Sequence, residues 1–531
     1  MSNVIRYFPV LVAMAATATA PSCAPVTATT ASASSAPAPA AAPASVEPAT
    51  SRPATSGGQR ETWLEMFARG YFPGRSGQIF LIPREGDVIT DRDPLYAFMH
   101  GSPWDYDVHI PLLLHGTPFV KAGTYNTPAV QQDLARTLAA IMGATAPPTM
   151  TGRVLSEAIE TGARPRVVVL LVLDAMRADY FDTYAKEMPT ITRLKREGAW
   201  FSNTRINYLP TLTSVGHATI GTGADPRFHG LAANNLYNRV TGKAQPAYAG
   251  LDPRELMALT LADVWNLETD GQAIIVGQGG AIRAAAGLVG RGACLVNGRT
   301  VIAASYNASN AGWETNPQCY RLPEYLNAIN GKTYWTEAGG TWMGHDVANP
   351  NAFRASSLFQ RFEGDALLAV ANHEAFGADE ITDLLMVNMK GPDYVAHAYG
   401  PDAAETREEM VELDRQVTRL LDALGKKAGP NGLLVAITAD HGMPREPAAG
   451  RRHYIDDIEK RIEERFDPAE KKLVAYYGDA ANNQVYLDLR RLGALKLSLS
   501  DIAAMLAREP YLTAVFTEDD VRAAQARLGP R

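Results

Sequence analysis

The chain has 531 residues, 46% of them apolar and 20% charged, with a formal net charge of −7. That composition suits a large globular core and argues against a nucleic-acid partner, because no run of Lys and Arg with interleaved aromatics is present. No segment approaches the roughly 20 apolar residues needed to span a bilayer. Three cysteines are too few for a cysteine-built zinc cluster, so any metal must be held by histidine and carboxylate.

The N-terminus has the plan of a secretory signal peptide over residues 1–20: Arg6, an apolar stretch from Tyr7 to Ala16, and a small-residue cleavage site, Ala18-Thr19-Ala20. Cys23 follows in a poor lipobox, Ala20-Pro21-Ser22-Cys23, which leaves a lipid anchor there as one of two readings. Residues 21–58 are almost wholly Ala, Pro, Ser and Thr, a composition that buries too little surface to fold and serves as a disordered linker. The chain is thus expected to be exported to the periplasm or cell envelope, with its folded domain at 59–531. In such an oxidising compartment Cys294 and Cys319 are expected to pair as a disulfide. Nothing in the sequence speaks to oligomeric state.

Within the folded part, residues 78–82 predict a strand, His100-Gly101-Ser102-Pro103 a turn, residues 105–114 another apolar run of strand length, and 131–142 an amphipathic helix. The uninterrupted run Val167-Val168-Val169-Leu170-Leu171-Val172-Leu173 predicts a strand buried on both faces of a parallel sheet, and it ends on Asp174. In open α/β sheets ligands bind just outside the carboxyl ends of strands, which makes Asp174 a candidate site residue; its alternative role is an N-cap for a helix at 176–179. Residues 210–221 read as the start of a helix with small residues in its first turns. Asn234-Asn235 lies in a turn, and 273–276 is a strand. Residues from about 290 to 376 are irregular and predict a cap-like insertion. The strand pattern resumes at 383–388 and leads to Asp393 and His397. A helix follows, with Met410, Leu413, Val417, Leu420 and Leu424 on one face. A further apolar run, 433–439, ends on Asp440-His441-Gly442. Strands alternating with helices predict a doubly wound α/β fold with a mostly parallel sheet.

Asp393 and His397 are four residues apart, so on a helical turn both face the same way and could grip one metal ion. Pairs of this kind are common taken singly. Asp174, Asp393, His397, Asp440 and His441, each just past a strand-like run, are far less easily a coincidence. A set of six ligands needs one more imidazole, and His100 is the candidate.

These residues bring the chain to a family. It resembles the alkaline phosphatase superfamily, in particular the bacterial phosphate-irrepressible alkaline phosphatases and their nucleotide pyrophosphatase/phosphodiesterase cousins. The carriers are Leu173-Asp174, Thr213 with His217 running into Thr222-Gly223, His229-Gly230 before Asn234-Asn235, the segment from Asp393 to Pro401, Ala439-Asp440-His441-Gly442-Met443, and His100-Gly101-Ser102-Pro103. The resemblance implies two Zn²⁺ ions, one held by Asp174, Asp440 and His441 with Thr213 as fourth partner, the other by Asp393, His397 and His100. It implies Thr213 as the nucleophile of a phospho-threonine pathway, Asn234 as a donor to a phosphoryl oxygen, and a small-molecule phosphate ester as substrate. In the relatives the His-Gly-Ser segment follows the Asp-His-Gly-Met segment, whereas here it precedes Asp174, so a circular permutation is expected.

The chain departs from its monoesterase relatives where they carry Lys-x-Arg against the phosphoryl oxygens. Aligning Arg283 with that arginine puts Ala281 where the lysine should be, and Arg291 is an alternative for the same role. Phosphomonoesterase is the leading expectation and phosphodiesterase the second. An arylsulfatase or phosphonate hydrolase would need a Cys or Ser in a context Thr213-Ser214-Val215 does not supply, and a binding pseudoenzyme would show a broken ligand set. Among the remaining candidates, His217 is expected to pack beneath Thr213, and Lys390 to be an exposed charge at a strand end.

Overall fold

The computed structural model describes residues 57–529, apart from 161, 296–300, 446–450 and 479–481. The expected signal peptide, the linker as far as residue 56, and Cys23 lie outside the described residues. In chain order the strands of the two main sheets are β1 (Ile79–Pro83), β2 (Leu112–His115), β3 (Gly123–Tyr125), β4 (Val167–Leu173), β5 (Ala199–Phe201), β6 (Ile275–Gly279), β7 (Ile302–Asn307), β8 (Gly312–Glu314), β9 (Asp383–Met389), β10 (Leu433–Thr438), β11 (Val474–Tyr477), β12 (Gln484–Leu487) and β13 (Leu512–Thr517). The helices that matter here are α1 (Gly57–Gly70), α2 (Asp133–Met142), α3 (Thr213–Thr222), α4 (Ile282–Val289), α5 (Ser357–His373), α6 (Gly391–Tyr399), α7 (Ala404–Ala428) and α8 (Glu518–Leu528).

The larger sheet runs β8-β7-β6-β9-β4-β10-β2-β5-β3. Its five central strands, β7, β6, β9, β4 and β10, are all parallel, and β4 lies between β9 and β10. Because side chains alternate along a strand, β4 feeds two cores. Val167, Val169, Leu171 and Leu173 pack with Met410, Leu413, Val417, Leu420 and Leu424 of α7. Val168, Leu170 and Val172 pack on the other face with Leu134, Leu138 and Met142 of α2 and Leu288 of α4. Helices on both faces explain why β4 is apolar at every position. The smaller antiparallel sheet, β11-β12-β1-β13, joins the start of the described chain to its end: β1 pairs with β12 and β13, and α1 packs on α8.

Three expectations need correction. The stretch 290–376 is not a cap-like insertion throughout, because β7 and β8 belong to the main sheet and α5 packs against α7; its polar, aromatic composition hid short strands at the sheet margin. The run 105–114 divides into a helical turn, Asp105–Val108, and β2. The linker ends earlier than expected, since α1 begins at Gly57. The expected disulfide joins Cys294 and Cys319.

The ends of β6 and β9 are tied together from α5. The carboxylate of Glu363, buried in that helix, accepts the backbone N–H of Lys390 at 3.1 Å and also faces the amides of Gly391 and Gly280. Burial lifts its pKa from 4.5 to about 8. In that window the folded chain holds a proton that the unfolded chain releases, so the residue's contribution to stability is present at low pH and is lost as pH rises towards 8. Glu363→Gln removes this dependence. Its denaturation midpoint relative to wild type should climb between about pH 5 and about pH 8.5; a difference that stays constant with pH would refute the assignment.

Candidate metal centre

β4, β9 and β10 stop side by side, and the acids beyond them converge. Asp174 directly follows β4, Asp393 lies in the first turn of α6 after β9, and Asp440 comes two residues after β10. Ala175 holds a φ of +57°, a region non-glycine residues seldom occupy. The turn it makes lets its N–H reach Asp440 Oδ1 at 3.2 Å. Helix α3 opens at Thr213 and lies close over Asp440: a Cβ on Gly216 would stand 2.7 Å from Asp440 Cβ, so only glycine permits that approach. His100 arrives from the turn before β2.

All six predicted ligands are buried, and the structure brings them together. His441 Nε2 stands 3.3 Å from Asp440 Oδ2 and 3.6 Å from Asp174 Oδ1, and 3.3 Å from Thr213 Oγ1. His397 Nε2 is 3.1 Å and His100 Nε2 3.9 Å from Asp393 Oδ1. Ligands about 2.0–2.1 Å from a tetrahedral zinc lie about 3.3–3.4 Å from each other, and two groups have all their ligand atoms within 4.8 Å of one another, His100 with Asp393 and His397, and His441 with Asp174 and Asp393. The donor chemistry agrees. The Nδ1 atoms of His100, His397 and His441 sit on the carbonyls of Thr211, Phe98 and Gly442 at 2.7, 2.5 and 3.0 Å. A carbonyl only accepts, so each Nδ1 carries the proton and each Nε2 presents a lone pair to the carboxylates. Asp393 Oδ1 and Asp440 Oδ2 are buried with no hydrogen-bond partner. Burial, and then the repulsion of Asp440, pushes the Asp174 carboxyl well above the usual carboxylate range. Burial and the neighbouring imidazoles hold His100 well below the usual histidine range, hence neutral. Several acids and neutral imidazoles facing one another in a buried space form a site for cations.

His217 joins Asp174 and Asp440 in a second possible grouping. Its Nδ1 lies 2.9 Å from the Thr213 carbonyl and 3.4 Å from Asp440 Oδ2. That nitrogen is therefore a donor, and the ring supports Asp440 from beneath Thr213. Asn388 assists in the same way, donating to Asp174 Oδ2 at 2.8 Å.

Asn234 Oδ1 accepts the Ser214 N–H at 2.9 Å, fixing the side chain against the start of α3. A cleft of about 480 Å³ opens over this end, lined by His100, Thr213, Asn234, Arg283, His397 and Tyr476 among others. Arg283, in the first turn of α4, has an Nε without a hydrogen-bond partner. Arg291 is tied elsewhere, with its guanidinium on the Leu256 carbonyl at 2.6 Å, which excludes it from the cleft. A larger cavity of about 570 Å³ beside Arg177 and Arg445 contains none of these residues.

Sequence reasoning placed one residue wrongly. Lys390 is not an exposed charge; it is wholly buried. Its Nζ lies 2.6 Å from Asp393 Oδ2, 2.9 Å from Asp174 Oδ1 and 3.2 Å from Thr213 Oγ1. Burial opposes its charge, but Asp174 and Asp393 outweigh that and hold it firmly protonated. The available signal was its spacing, three residues before Asp393 at the end of a fully buried strand, where a lysine can turn inward on its own helical turn.

Over residues 168–524 the chain matches the profile of the family described as Type I phosphodiesterase / nucleotide pyrophosphatase. It is 28% identical over 420 residues to the alkaline phosphatase PafA of Elizabethkingia meningoseptica, covering 67% of this chain and 76% of that one. With the alkaline phosphatase PhoV of Synechococcus elongatus it shares 26% over 342 residues, 54% of this chain and 61% of that one. Its fold matches the crystal structure of wild-type PafA with a TM-score of 0.59 at 24% identity, covering 68% of this chain and 81% of that chain. The chain belongs to the type I phosphodiesterase / nucleotide pyrophosphatase family, within the alkaline phosphatase superfamily, and is a phosphoric-ester hydrolase.

Proposed function

We propose that this chain is an exported phosphomonoesterase that holds two zinc ions and works through a phospho-threonine intermediate. The observation that carries this reading is the place of Thr213: its hydroxyl is buried at the start of α3, 3.3 Å from His441 Nε2, at the floor of a cleft that also presents Asn234 and Arg283. Asp174, Asp440 and His441 would hold one zinc beside Thr213, and Asp393, His397 and His100 the other. Bound there, the pair would supply Lewis-acid stabilisation of the attacking and leaving oxygens of an in-line displacement.

The chain's own residues account for the rest. Thr213 Oγ1 forms the new bond to phosphorus as the bond to the leaving oxygen breaks, and the hydroxyl proton ends on the released alcohol. Water then opens the phospho-threonine ester, yielding inorganic phosphate and restoring the hydroxyl. The N-terminal end of α3 favours the negative charge developing at Thr213. Asn234 is held by Ser214 so that its amide can donate to a nonbridging oxygen, and Arg283 offers a guanidinium to a phosphoryl group. A phosphodiesterase is the second reading, favoured by Ala281, which puts no cation at the end of β6.

We further propose that the motif order arose by circular permutation. In support, the family match begins at residue 168, after His100, while β1 pairs with β12 and β13. Joining the two ends of the relatives' order at that sheet would bring His100 where it stands.

Thr213→Ala should lower turnover of p-nitrophenyl phosphate by more than about a hundredfold while metal analysis still finds two ions per chain; retained turnover would sink the nucleophile assignment. His100→Ala should lower the metal content towards one ion per chain, and an unchanged content would remove His100 from the ligand set. Arg283→Ala should reduce kcat/KM for p-nitrophenyl phosphate more than for bis-p-nitrophenyl phosphate. A faster diester reaction in wild type, with no effect of Arg283→Ala, would favour the diesterase.

A further inference from the structure

Lys390 is the one buried ammonium within reach of Thr213 among the described residues, and none of the roles assigned above uses it. In the parallel register of β6 and β9 the last paired residues are Gly279 and Asn388. Two residues further on come Ala281 and Lys390, so the cation absent from the end of β6 stands one strand over, at the end of β9. The intervening residue is shaped for this arrangement. A Cβ on Gly280 would lie 2.7 Å from Lys390 Cβ and 2.5 Å from Glu363 Oε1. The missing side chain at Gly280 thus leaves room for Lys390 beside Glu363. Glu363 fixes the backbone at its base, and the ring of Tyr394 lies 5.4 Å from the ammonium.

Building on the phosphomonoesterase reading, we propose that Lys390 is a substrate-contacting cation that meets a phosphoryl oxygen on the group bound at Thr213 and biases the site towards monoester dianions. The ammonium is 3.2 Å from Thr213 Oγ1, which is within reach of oxygens on a phosphorus bonded to that atom. Two of its present partners, Asp174 and Asp393, are the carboxylates that would bind metal. Once their lone pairs are engaged, the acceptors left to Lys390 are Thr213 and the phosphoryl group. An ammonium there acts on charge, and a monoester dianion carries one more negative charge than a diester. The lysine missing at Ala281 is replaced from the neighbouring strand.

The test uses the purified, zinc-loaded chain with three readouts: metal content, affinity for inorganic phosphate by calorimetry, and the ratio of kcat/KM for p-nitrophenyl phosphate to that for bis-p-nitrophenyl phosphate. Lys390→Met should keep two metals, weaken phosphate binding about tenfold or more, and lower the ratio by a similar factor. Adding Ala281→Lys, which returns an ammonium from the adjacent strand, should recover part of both losses. Gly280→Ala keeps the ammonium but displaces its stem, so it should shift both quantities the same way to a smaller extent, and it decides the matter if Lys390→Met fails to fold. Unchanged phosphate affinity and ratio in a folded, metal-loaded variant would overturn the proposal. So would a rise from one metal to two on removing the lysine, because Lys390 would then be a stand-in for an ion. Turnover that survives in Thr213→Ala would instead sink the phospho-threonine reading, whatever Lys390 does.

Discussion

Asp174, Asp393 and Asp440 are carboxylates forced close together where water cannot screen them. In water, like charges at such separations repel weakly; in a buried space the repulsion is severalfold larger. The fold therefore has to supply positive charge at this spot, and much of the surrounding architecture reads as the answer. Lys390 turns inward from the end of β9. The starts of α3 and α6 direct their dipoles at the acids. Three imidazoles, their Nδ1 protons committed to backbone carbonyls, turn lone pairs towards the same space. A centre of this kind is stable as a cation site and poorly stable as an empty one.

Holding the charges in place requires a rigid frame. The five parallel strands covered on both faces provide it, since a strand packed on each side has little freedom to shift its end. Close backbone approaches add to this. Gly216 brings α3 against Asp440, and Gly280 leaves room for Lys390 at the end of β9. The smaller sheet has a different part: it unites the beginning and end of the described chain, so that a turn carrying His100 and strands hundreds of residues away form one wall of the site. Topology, and not proximity in sequence, brings His100 beside Asp393 and His397.

The cleft is lined above the buried acids by residues of other elements. Arg283 and Tyr476 face the cleft from separate elements.

The apolar runs 167–173 and 433–439 declared themselves as buried strands, and the acids at their ends as candidate site residues, because apolar runs and helical spacing are local properties of a chain. The same holds for α7 and for the pair Asp393 and His397. Lys390 was misjudged because a lysine's environment depends on what packs around it, and here that is Gly280, Glu363 and Asp174 from other elements, with Asp393 on its own turn. The stretch 290–376 was misread because β7 and β8 acquire their strand character from pairing beside β6 and not from their own pattern. Only the tertiary structure separates Arg283 from Arg291 and seats His100 beside Asp393, because those outcomes are fixed by contacts between distant segments, which no local pattern encodes.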